Sequence, residues 1–412
     1  MQPLAPADFK RFDTYARRVQ TLYLDMREVP LGLSLITQSR DAPLLPSLQA
    51  IHLYKKGWIT WNLCAERVRA AASLFLVPTL RSLDMSGTPR TALPVTDFLV
   101  DLPRECPHLE ELIYEPGIAS SLAFMGQLSQ LRSLEICGMC GLVDTDFESL
   151  SRLRGLRSLT LYDLFAPQSS PSPPVTSSFS SLQYLTIANG NAQGVSRLLQ
   201  MASTSPLQSL DIKWLKLSRL KDISIPISAL LPFAESLVTL FISVGGAQNE
   251  IVRVADIRGL TKLHSLQTLY LFFPSNIQLG DIEAMGQAWP VLRNLLLRDM
   301  SMPCSFRHLA AFAAHFPSLR ELDIDSLVID DGDLPSLNSD GRAARSHPLL
   351  ELKLQFVTWV ERPVFDRLAK AILSIFPGLL RVDPCMELNS AVQRWKEVQR
   401  IRLLMKKGQQ KA

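Results

Sequence analysis

One six-residue pattern, Leu-x-x-Leu-x-Leu with Ile, Met, Val or Tyr as substitutes, recurs along nearly the whole chain of 412 residues. Its first positions are Val19, Leu48, Leu80, Leu109, Leu131, Leu156, Leu182, Leu207, Leu237, Leu266, Leu292, Leu319, Leu349 and Leu379. Successive copies lie about 28 residues apart on average, which falls within the range of leucine-rich repeats. A period that persists over most of a chain argues against two or three unrelated globular domains.

Each copy of the pattern predicts a short strand followed by a helix. Positions four and six point to the same side of an extended segment, so Leu322 and Ile324 are expected in the core. Between strands, residues 305–316 and 364–376 place apolar residues on one helical face. A proline stands two residues before the first leucine in six copies, where it ends the helix and favours an extended chain. These are Pro46, Pro78, Pro107, Pro290, Pro317 and Pro377.

Stacked units of this kind predict an α/β fold, a leucine-rich-repeat solenoid shaped as an arc or horseshoe. We expect a parallel β-sheet on the concave face and helices on the convex face. The predicted domains are a helical leader over residues 1–18, a solenoid of about 14 repeats over residues 19–387, and a capping helix with a basic tail over residues 388–412.

The ninth repeat position departs from the usual pattern. Many leucine-rich-repeat proteins carry Asn or Cys there, and these side chains form hydrogen bonds with backbone groups of the turn. This chain carries other residues at the position, so we expect other hydrogen-bond partners for those backbone groups. The residues at this position are Thr88, Gly117, Met139, Leu164, Leu215, Met300, Leu327 and Val357.

Composition and charge narrow the function classes. Hydrophobic residues make up 47% of the chain, which excludes disorder over most of its length. The formal net charge is +4, and the last 32 residues alone contribute +5 of charge. The remainder of the chain therefore has no overall attraction for nucleic acid or an anionic membrane. The start of the chain lacks the features of a signal peptide, and six irregularly spaced cysteines indicate reduced thiols, so we expect a location in the cytoplasm, the nucleus or both.

Two short features resemble a known family. The segment DFKRFDTYARRVQTLYL, from Asp8 to Leu24, is similar to the linker helix that enters the first repeat of leucine-rich-repeat F-box proteins, which basidiomycete fungi encode in large numbers. The endings Trp-Pro-x-Leu at 289 and Phe-Pro-x-Leu at 316 and 376 resemble theirs as well. The resemblance implies an amino-terminal F-box that docks on the Skp adaptor of a cullin ubiquitin ligase, and repeats that present a substrate protein.

The F-box itself is not recognisable in this sequence. Seven residues precede Asp8, and no later leucine-rich segment has the opening Leu-Pro of an F-box together with its following helix pattern. Two interpretations remain open: a gene model that starts too late, or a receptor without a docking module. Skp and cullin are thus expected partners only if an upstream F-box exists.

The sequence contains no complete motif for catalysis or metal binding. Cys137 and Cys140 form a lone CxxC with no second half, which favours ordinary thiols over a redox pair or a zinc site. The histidines are scattered, and we expect surface roles for His108, His264, His308, His315 and His347. An acidic cluster lacks the ligand order of an EF-hand and is expected to be a solvated strip. It comprises Glu321, Asp323, Asp325, Asp330, Asp331 and Asp333. No catalytic residue, metal site or cofactor is predicted.

The most informative surface is the row of positions three, five and seven, which we expect on the concave face. From the seventh repeat onward these positions carry aromatic and charged residues. The predicted protein-binding residues are Tyr184, Lys213, Phe241, Tyr270, Phe272, Leu296, Arg298, Asp323 and Asp325. Neighbouring strands lie about 4.8 Å apart, so we expect one contiguous exposed apolar patch with charged neighbours, a composition typical of protein-binding hot spots. Its members are Phe241, Tyr270, Phe272 and Leu296. The alternatives are loops that cover the patch or a drift in repeat register.

These observations predict a non-enzymatic protein-binding module that is monomeric outside its complex. By resemblance its function is substrate recognition in a Skp-cullin-F-box ubiquitin ligase, with a protein client on the concave face. The alternative is a leucine-rich-repeat scaffold, or a GTPase-regulator-like interaction module, unconnected with ubiquitin. An enzyme or a nucleic-acid-binding protein is the least favoured class.

Overall fold

The structure is a computed structural model that describes residues 9–25, 43–54, 74–86, 95–115, 122–138, 142–165, 179–245, 251–328, 347–357 and 371–384. Two compact units divide the chain, Met1–Leu207 and Gln208–Ala412. The capping helix predicted over residues 388–412 lies outside the described residues, as do Cys140, Asp330, Asp331 and Asp333.

The described part of the first unit contains seven parallel strands that pair in sequence order. They are β1 (Thr21–Asp25), β2 (Ala50–Tyr54), β3 (Ser82–Asp84), β4 (Glu111–Tyr114), β5 (Ser133–Ile136), β6 (Ser158–Leu164) and β7 (Tyr184–Gly190). Its described helices are α1 (Phe9–Ala16), α2 (Val95–Glu105), α3 (Asp144–Ser151) and α4 (Ala192–Met201), with a 3₁₀ turn at Ala123–Gln127.

The described part of the second unit contains eight strands. They are β8 (Ser209–Lys216), β9 (Thr239–Gly245), β10 (Val252–Arg253), β11 (Thr268–Asn276), β12 (Asn294–Met300), β13 (Glu321–Leu327), β14 (Glu351–Val357) and β15 (Arg381–Pro384). Strand β11 pairs with β9, and the two-residue β10 pairs with β11. The helices are α5 (Ser224–Ser228), α6 (Leu279–Ala288) and α7 (Phe306–His315), and 3₁₀ turns occupy Leu220–Ile223, Leu231–Phe233 and Val254–Lys262.

Equivalent repeat positions pair across these strands. In the second unit the fourth-position leucines align from β9 to β14, and all of them are inaccessible to solvent. They are Leu240, Leu269, Leu295, Leu322 and Leu352. At the start of each strand a second-position carbonyl accepts two backbone hydrogen bonds from the next repeat: Gln208 O accepts from Val238 N at 2.8 Å and from Thr239 N at 2.9 Å. The predicted leucine-rich-repeat fold, with its parallel sheet, is therefore confirmed.

The helices end close to the prolines that precede the repeats. The helix predicted over residues 305–316 is found as α7, and it ends at His315, two residues before Pro317. Helix α6 ends at Ala288, two residues before Pro290. Of the helix predicted over residues 364–376, only the end from residue 371 lies in the described part, where Ile372 and Phe376 are buried.

The eighth repeat position adopts a conformation that the sequence pattern did not predict. Four residues there have positive φ angles: Asp163 at 58°, Asn189 at 67°, Trp214 at 54° and Asp299 at 59°. Between β8 and β9 the strand register shifts after Ile212, so Trp214 is the extra residue of a bulge. Asp and Asn tolerate this left-handed conformation, whereas a bulky side chain such as Trp214 rarely adopts it. The next residue in the chain, Leu215, returns to the core.

Backbone amides in the turns form hydrogen bonds with groups other than a ninth-position Asn or Cys. The amide of Met300 donates to Asp325 Oδ2 at 3.1 Å, and Asn191 N donates to Leu164 O at 3.0 Å. In the first unit the Asn189 side-chain amide also donates to Asp163 Oδ1, which joins two left-handed eighth positions. The repeats thus satisfy their turns through neighbouring copies.

Candidate functional site

One side of the second unit's sheet carries side chains that are neither core nor fully exposed. Because alternate residues of a strand point to opposite faces, the burial of positions four and six leaves positions three, five and seven on the other side, which we call the open face. Strand pairing places the fifth-position residues of β8 to β14 in one row across the open face. The row reads Asp211, Phe241, Tyr270, Leu296, Asp323 and Lys353.

Three aromatic residues contact one another in the middle of this face. The rings of Phe241 and Tyr270 meet edge to face at 89°, with centroids 6.2 Å apart. The rings of Phe241 and Phe272 are tilted by 33°, with centroids 5.1 Å apart. All three side chains are partly exposed, and we call them the aromatic cluster. Edge-to-face and offset contacts are the favoured geometries of aromatic pairs, so the three rings support each other's orientation.

Arg298 holds two carboxylates next to the aromatic cluster. It lies beside Phe272 in the strand register. Its Nη2 atom is 2.8 Å from Asp323 Oδ1 and donates a hydrogen bond to Asp323 Oδ2 at 2.9 Å, and its Nη1 atom is 3.5 Å from Asp325 Oδ1. Asp323 is only 4% exposed. Burial raises the pKa of Asp323 despite the opposing effect of the Arg298 guanidinium.

A second charged group lies on the following strands. Lys353 forms a salt bridge with Glu321 and lies 3.7 Å from Glu351 Oε2. The side-chain amide of Asn294 donates to Glu321 Oε2 at 2.7 Å. Burial alone would raise the pKa of Glu321, but the hydrogen bonds from Lys353 and Asn294 outweigh it and lower this pKa. The carboxylate of Glu321 also acts on Tyr270: burial and then this negative charge raise the pKa of the phenol.

At the other end of the row, Asp211 pairs with Lys213 within the same strand. Lys213 Nζ lies 3.0 Å from Asp211 Oδ2, and Oδ1 of Asp211 is buried without a hydrogen-bond partner. Burial raises the pKa of Asp211, and the ammonium of Lys213 only partly opposes that effect. This end is formally neutral, in contrast to the acidic side beyond Arg298.

The structure brings together most of the predicted binding residues. Phe241, Tyr270 and Phe272 form the aromatic cluster, Leu296 is the register neighbour of Tyr270, and Arg298, Asp323 and Asp325 form one ion-paired group. Lys213 lies on the same face and pairs with Asp211.

One predicted binding residue, Tyr184, is part of the first unit. It belongs to β7 of the first unit, where its side chain is 50% exposed.

Two expectations about polar residues are wrong. The acidic cluster is not a solvated strip at Glu321, Asp323 and Asp325, because cations from neighbouring repeats cover these carboxylates. His347 does not lie on the surface: it is 8% exposed, its Nδ1 accepts from Leu349 N at 3.1 Å and its Nε2 lies 3.0 Å from Phe316 O. In both cases the partner stands about one repeat away in sequence, so local patterns do not reveal it.

Two residues of interest escaped the sequence reasoning. Asp211 occupies the fifth position directly beside Phe241, but a single aspartate there does not stand out in the sequence as an aromatic residue does. Trp214 occupies the eighth position, which alternation alone does not assign to a face, and it is 64% exposed. Its ring lies over Gly245 at the end of β9: a Cβ atom at Gly245 would lie 3.4 Å from Trp214 Cε3. The sequence did offer one indication of Trp214: it is an aromatic residue at a position outside the alternating pattern of the strand.

Elsewhere in the described residues the structure offers little reactive chemistry. Cys137 is half-buried and donates to Glu135 Oε1 at 3.4 Å, and burial followed by the charge of Glu135 raises the pKa of its thiol to about 12. That thiol is therefore a poor nucleophile at neutral pH. The described part of the chain contains no group of three or more His, Cys, Asp or Glu side chains placed to hold a metal ion. None of its helices combines the length and the hydropathy needed to cross a bilayer.

No protein-family model matches this sequence, and no curated protein matches it significantly. Similar solved structures include a leucine-rich-repeat protein of Leptospira interrogans, with 14% identity, 93% of this chain and 100% of that chain covered, and a TM-score of 0.41. The TLR13–ssRNA13 complex shows 18% identity, covers 83% of this chain and 44% of that chain, and has a TM-score of 0.47. An internalin of Listeria monocytogenes shows 14% identity, covers 86% and 94%, and has a TM-score of 0.44. The leucine-rich-repeat fold of this chain follows from its own strand register.

Proposed function

We propose that this chain is a non-enzymatic protein-binding receptor whose partner docks on the open face of the second unit. The observation that carries the proposal is the aromatic cluster, in which Phe241, Tyr270 and Phe272 contact one another while remaining partly exposed. Aromatic side chains at the centre of a surface with charged neighbours dominate the binding energy of many protein interfaces.

The surroundings of the aromatic cluster favour binding further. Leu240, Leu269 and Leu271, which flank Phe241 and Tyr270 in sequence, are anchored in the core. The backbone beneath the rings is therefore held by packing on the other side of the sheet. A surface held in place before the partner arrives loses less conformational entropy on binding.

A finer proposal concerns the biological role. We propose that the bound protein is a client presented to a Skp-cullin-F-box ubiquitin ligase, in the cytoplasm or the nucleus. The support is the resemblance of Asp8–Leu24 to the F-box linker. The order of helix α1 followed by β1 agrees with a linker that runs into the first repeat.

Partner capture tests the binding function. Proteins retained from a lysate by the full chain are quantified by mass spectrometry beside those retained by a Phe241→Ser/Tyr270→Ser variant. Leu231→Ser is the matched control, because it removes an exposed apolar side chain from a 3₁₀ turn between strands. We expect a defined set of proteins to be lost with the double variant and kept with Leu231→Ser. Equal retention by all three forms would refute docking on the aromatic cluster.

Co-purification with the Skp adaptor tests the finer proposal. The chain is expressed with Skp as it stands and with the sequence encoded upstream of it. Capture of Skp by the extended form supports the ligase role. If neither form captures Skp, the ligase role is rejected and a scaffold or GTPase-regulator-like role replaces it.

A further inference from the structure

We infer that the partner of the open face is a basic protein segment, with an apolar side chain on the aromatic cluster and lysine or arginine three to five residues away, beside Asp299 or Glu351. This inference rests on the proposed binding function and adds the chemistry of the partner. It follows from the unequal distribution of charge on the two sides of the aromatic cluster.

Carboxylates outnumber cations on the side beyond the aromatic cluster. From the seventh position of β12 to the end of the described part of β14, the open face and the left-handed position at Asp299 carry five carboxylates and two cations. The carboxylates are Asp299, Glu321, Asp323, Asp325 and Glu351, and the cations are Arg298 and Lys353.

The two cations are already engaged. Arg298 is 15% exposed and serves both Asp323 and Asp325, and Lys353 lies between Glu321 and Glu351. Burial and then the negative charge of Asp325 raise the pKa of Asp299, although Arg298 opposes this effect. A potential of one sign over a surface attracts the opposite charge, so this side favours a cationic partner and repels phosphate groups.

Accessible carboxylates are present to receive that cation. Asp299 is exposed at the left-handed eighth position near the end of β12, and the Glu351 side chain is 37% exposed. Asp323 is too buried for direct contact and contributes only to the surrounding field. The aromatic rings add a second attraction, because the face of an aromatic ring binds a nearby ammonium or guanidinium group.

The strand spacing sets the distance between the two features. Asp299 lies one strand interval from Tyr270 and three residues further along the strand, and Glu351 on β14 lies three strand intervals from Tyr270 and two residues back in register. At about 4.8 Å per strand interval and about 3.3 Å per residue, these separations are about 11 and 16 Å. The apolar and basic side chains of an extended partner therefore stand about three to five residues apart. At the opposite end of the row Lys213 neutralises Asp211, so this end does not favour a basic residue in the partner.

Selection from a random dodecapeptide display library tests the inference. Peptides are selected on the full chain and counter-selected on the Phe241→Ser/Tyr270→Ser variant. The expected result is enrichment of peptides with an apolar residue followed or preceded by lysine or arginine at the stated spacing. Aromatic-cluster-dependent peptides that are neutral or acidic would overturn the basic partner and leave the binding function standing. A selection without any peptide that depends on the aromatic cluster would count against both.

Affinity measurements on a selected peptide give a second readout. Fluorescence anisotropy compares the full chain with an Asp299→Asn/Glu351→Gln variant, in which two exposed charges are removed with little change of shape. We expect binding to weaken roughly tenfold and to become less sensitive to salt. Glu283→Gln, an exposed carboxylate on helix α6, is the matched control and is expected to bind as the parent chain does. Equal affinity of all three forms would overturn the inference.

Discussion

Phe241 and Tyr270 occupy the fifth position of neighbouring repeats, and their rings meet at 89° with centroids 6.2 Å apart. Each ring stands between two core residues of its own strand, Leu240 and Ile242 for Phe241, and Leu269 and Leu271 for Tyr270. The buried leucines and the proposed binding surface thus lie on opposite faces of the same strands, so substitutions can test them separately.

Leu240→Ala or Leu269→Ala is expected to reduce the free energy of unfolding by about 2 to 5 kcal/mol, because each removes a fully buried side chain and leaves a cavity. Phe241→Ser/Tyr270→Ser is expected to reduce it by much less, because both rings are already partly hydrated. Urea unfolding followed by circular dichroism measures both effects. A loss in the double variant as large as that in Leu240→Ala would show that the rings belong to the core.

Gly286 and Gly280 on helix α6 are expected to respond oppositely to alanine. A Cβ atom at Gly286 would lie 2.5 Å from His315 O and 2.6 Å from His315 Cβ at the end of helix α7. A Cβ atom at Gly280 would have no neighbouring atom within 4 Å. Alanine favours a helix over glycine by about 1 kcal/mol, so Gly280→Ala is expected to be neutral or to raise the melting temperature. Gly286→Ala is expected to lower it, because the two helices must separate. A higher melting temperature for Gly286→Ala would contradict the close packing of α6 against α7.

Arg298→Ala is expected to cost about 3 to 5 kcal/mol of unfolding free energy, because it leaves the buried carboxylate of Asp323 without its cation. The combined variant Arg298→Met/Asp323→Leu is expected to recover much of that loss, since two apolar side chains replace the pair. Chemical unfolding of Arg298→Met, Asp323→Leu and the combined variant, beside the parent chain, forms a double-mutant cycle. Additive losses would show that the two residues do not depend on each other.

His347 is expected to make the fold less stable in mild acid. Its burial lowers the pKa of the imidazole below the ordinary value of 6.5, and the hydrogen bond to Phe316 O opposes this only partly. As the pH falls through 6.5, the unfolded chain binds a proton that the folded state resists, so the free energy of unfolding decreases until the lowered pKa is passed.

Thermal unfolding between about pH 7.5 and pH 5.5 measures this effect of His347. His347→Gln is expected to flatten the decline relative to the parent chain, because the other titrating groups are common to both. Identical slopes would show that His347 contributes nothing to the pH dependence.

The periodic part of the structure could be predicted from the sequence because its cause is local. Leu240, Leu269 and Leu322 recur at a constant offset within their repeats, and that offset alone assigns them to the buried side of a strand. Pro290 and Pro317 end α6 and α7 where the ring of proline forbids a further helical turn. The contiguity of Phe241, Tyr270 and Phe272 also followed, since it depends only on equal repeat positions pairing with each other.

Local patterns failed where a residue's state depends on a side chain about one repeat away. Asp323 looks solvated in sequence, but Arg298, 25 residues earlier, covers it. His347 looks like a turn residue, but the carbonyl of Phe316, 31 residues earlier, lies against its ring. The left-handed conformation of Trp214 depends on the register shift between β8 and β9, which no property of tryptophan indicates.

The sequence by itself determined the repeat, the parallel strands, the buried leucines and the row of positions that carries the aromatic cluster, because a fixed period converts directly into a fixed face of each strand. Only the tertiary structure decided which charges are paired, which carboxylates remain accessible and where the backbone leaves the strand conformation. Those outcomes depend on distances between side chains of different repeats, and such distances exist only once the strands have paired.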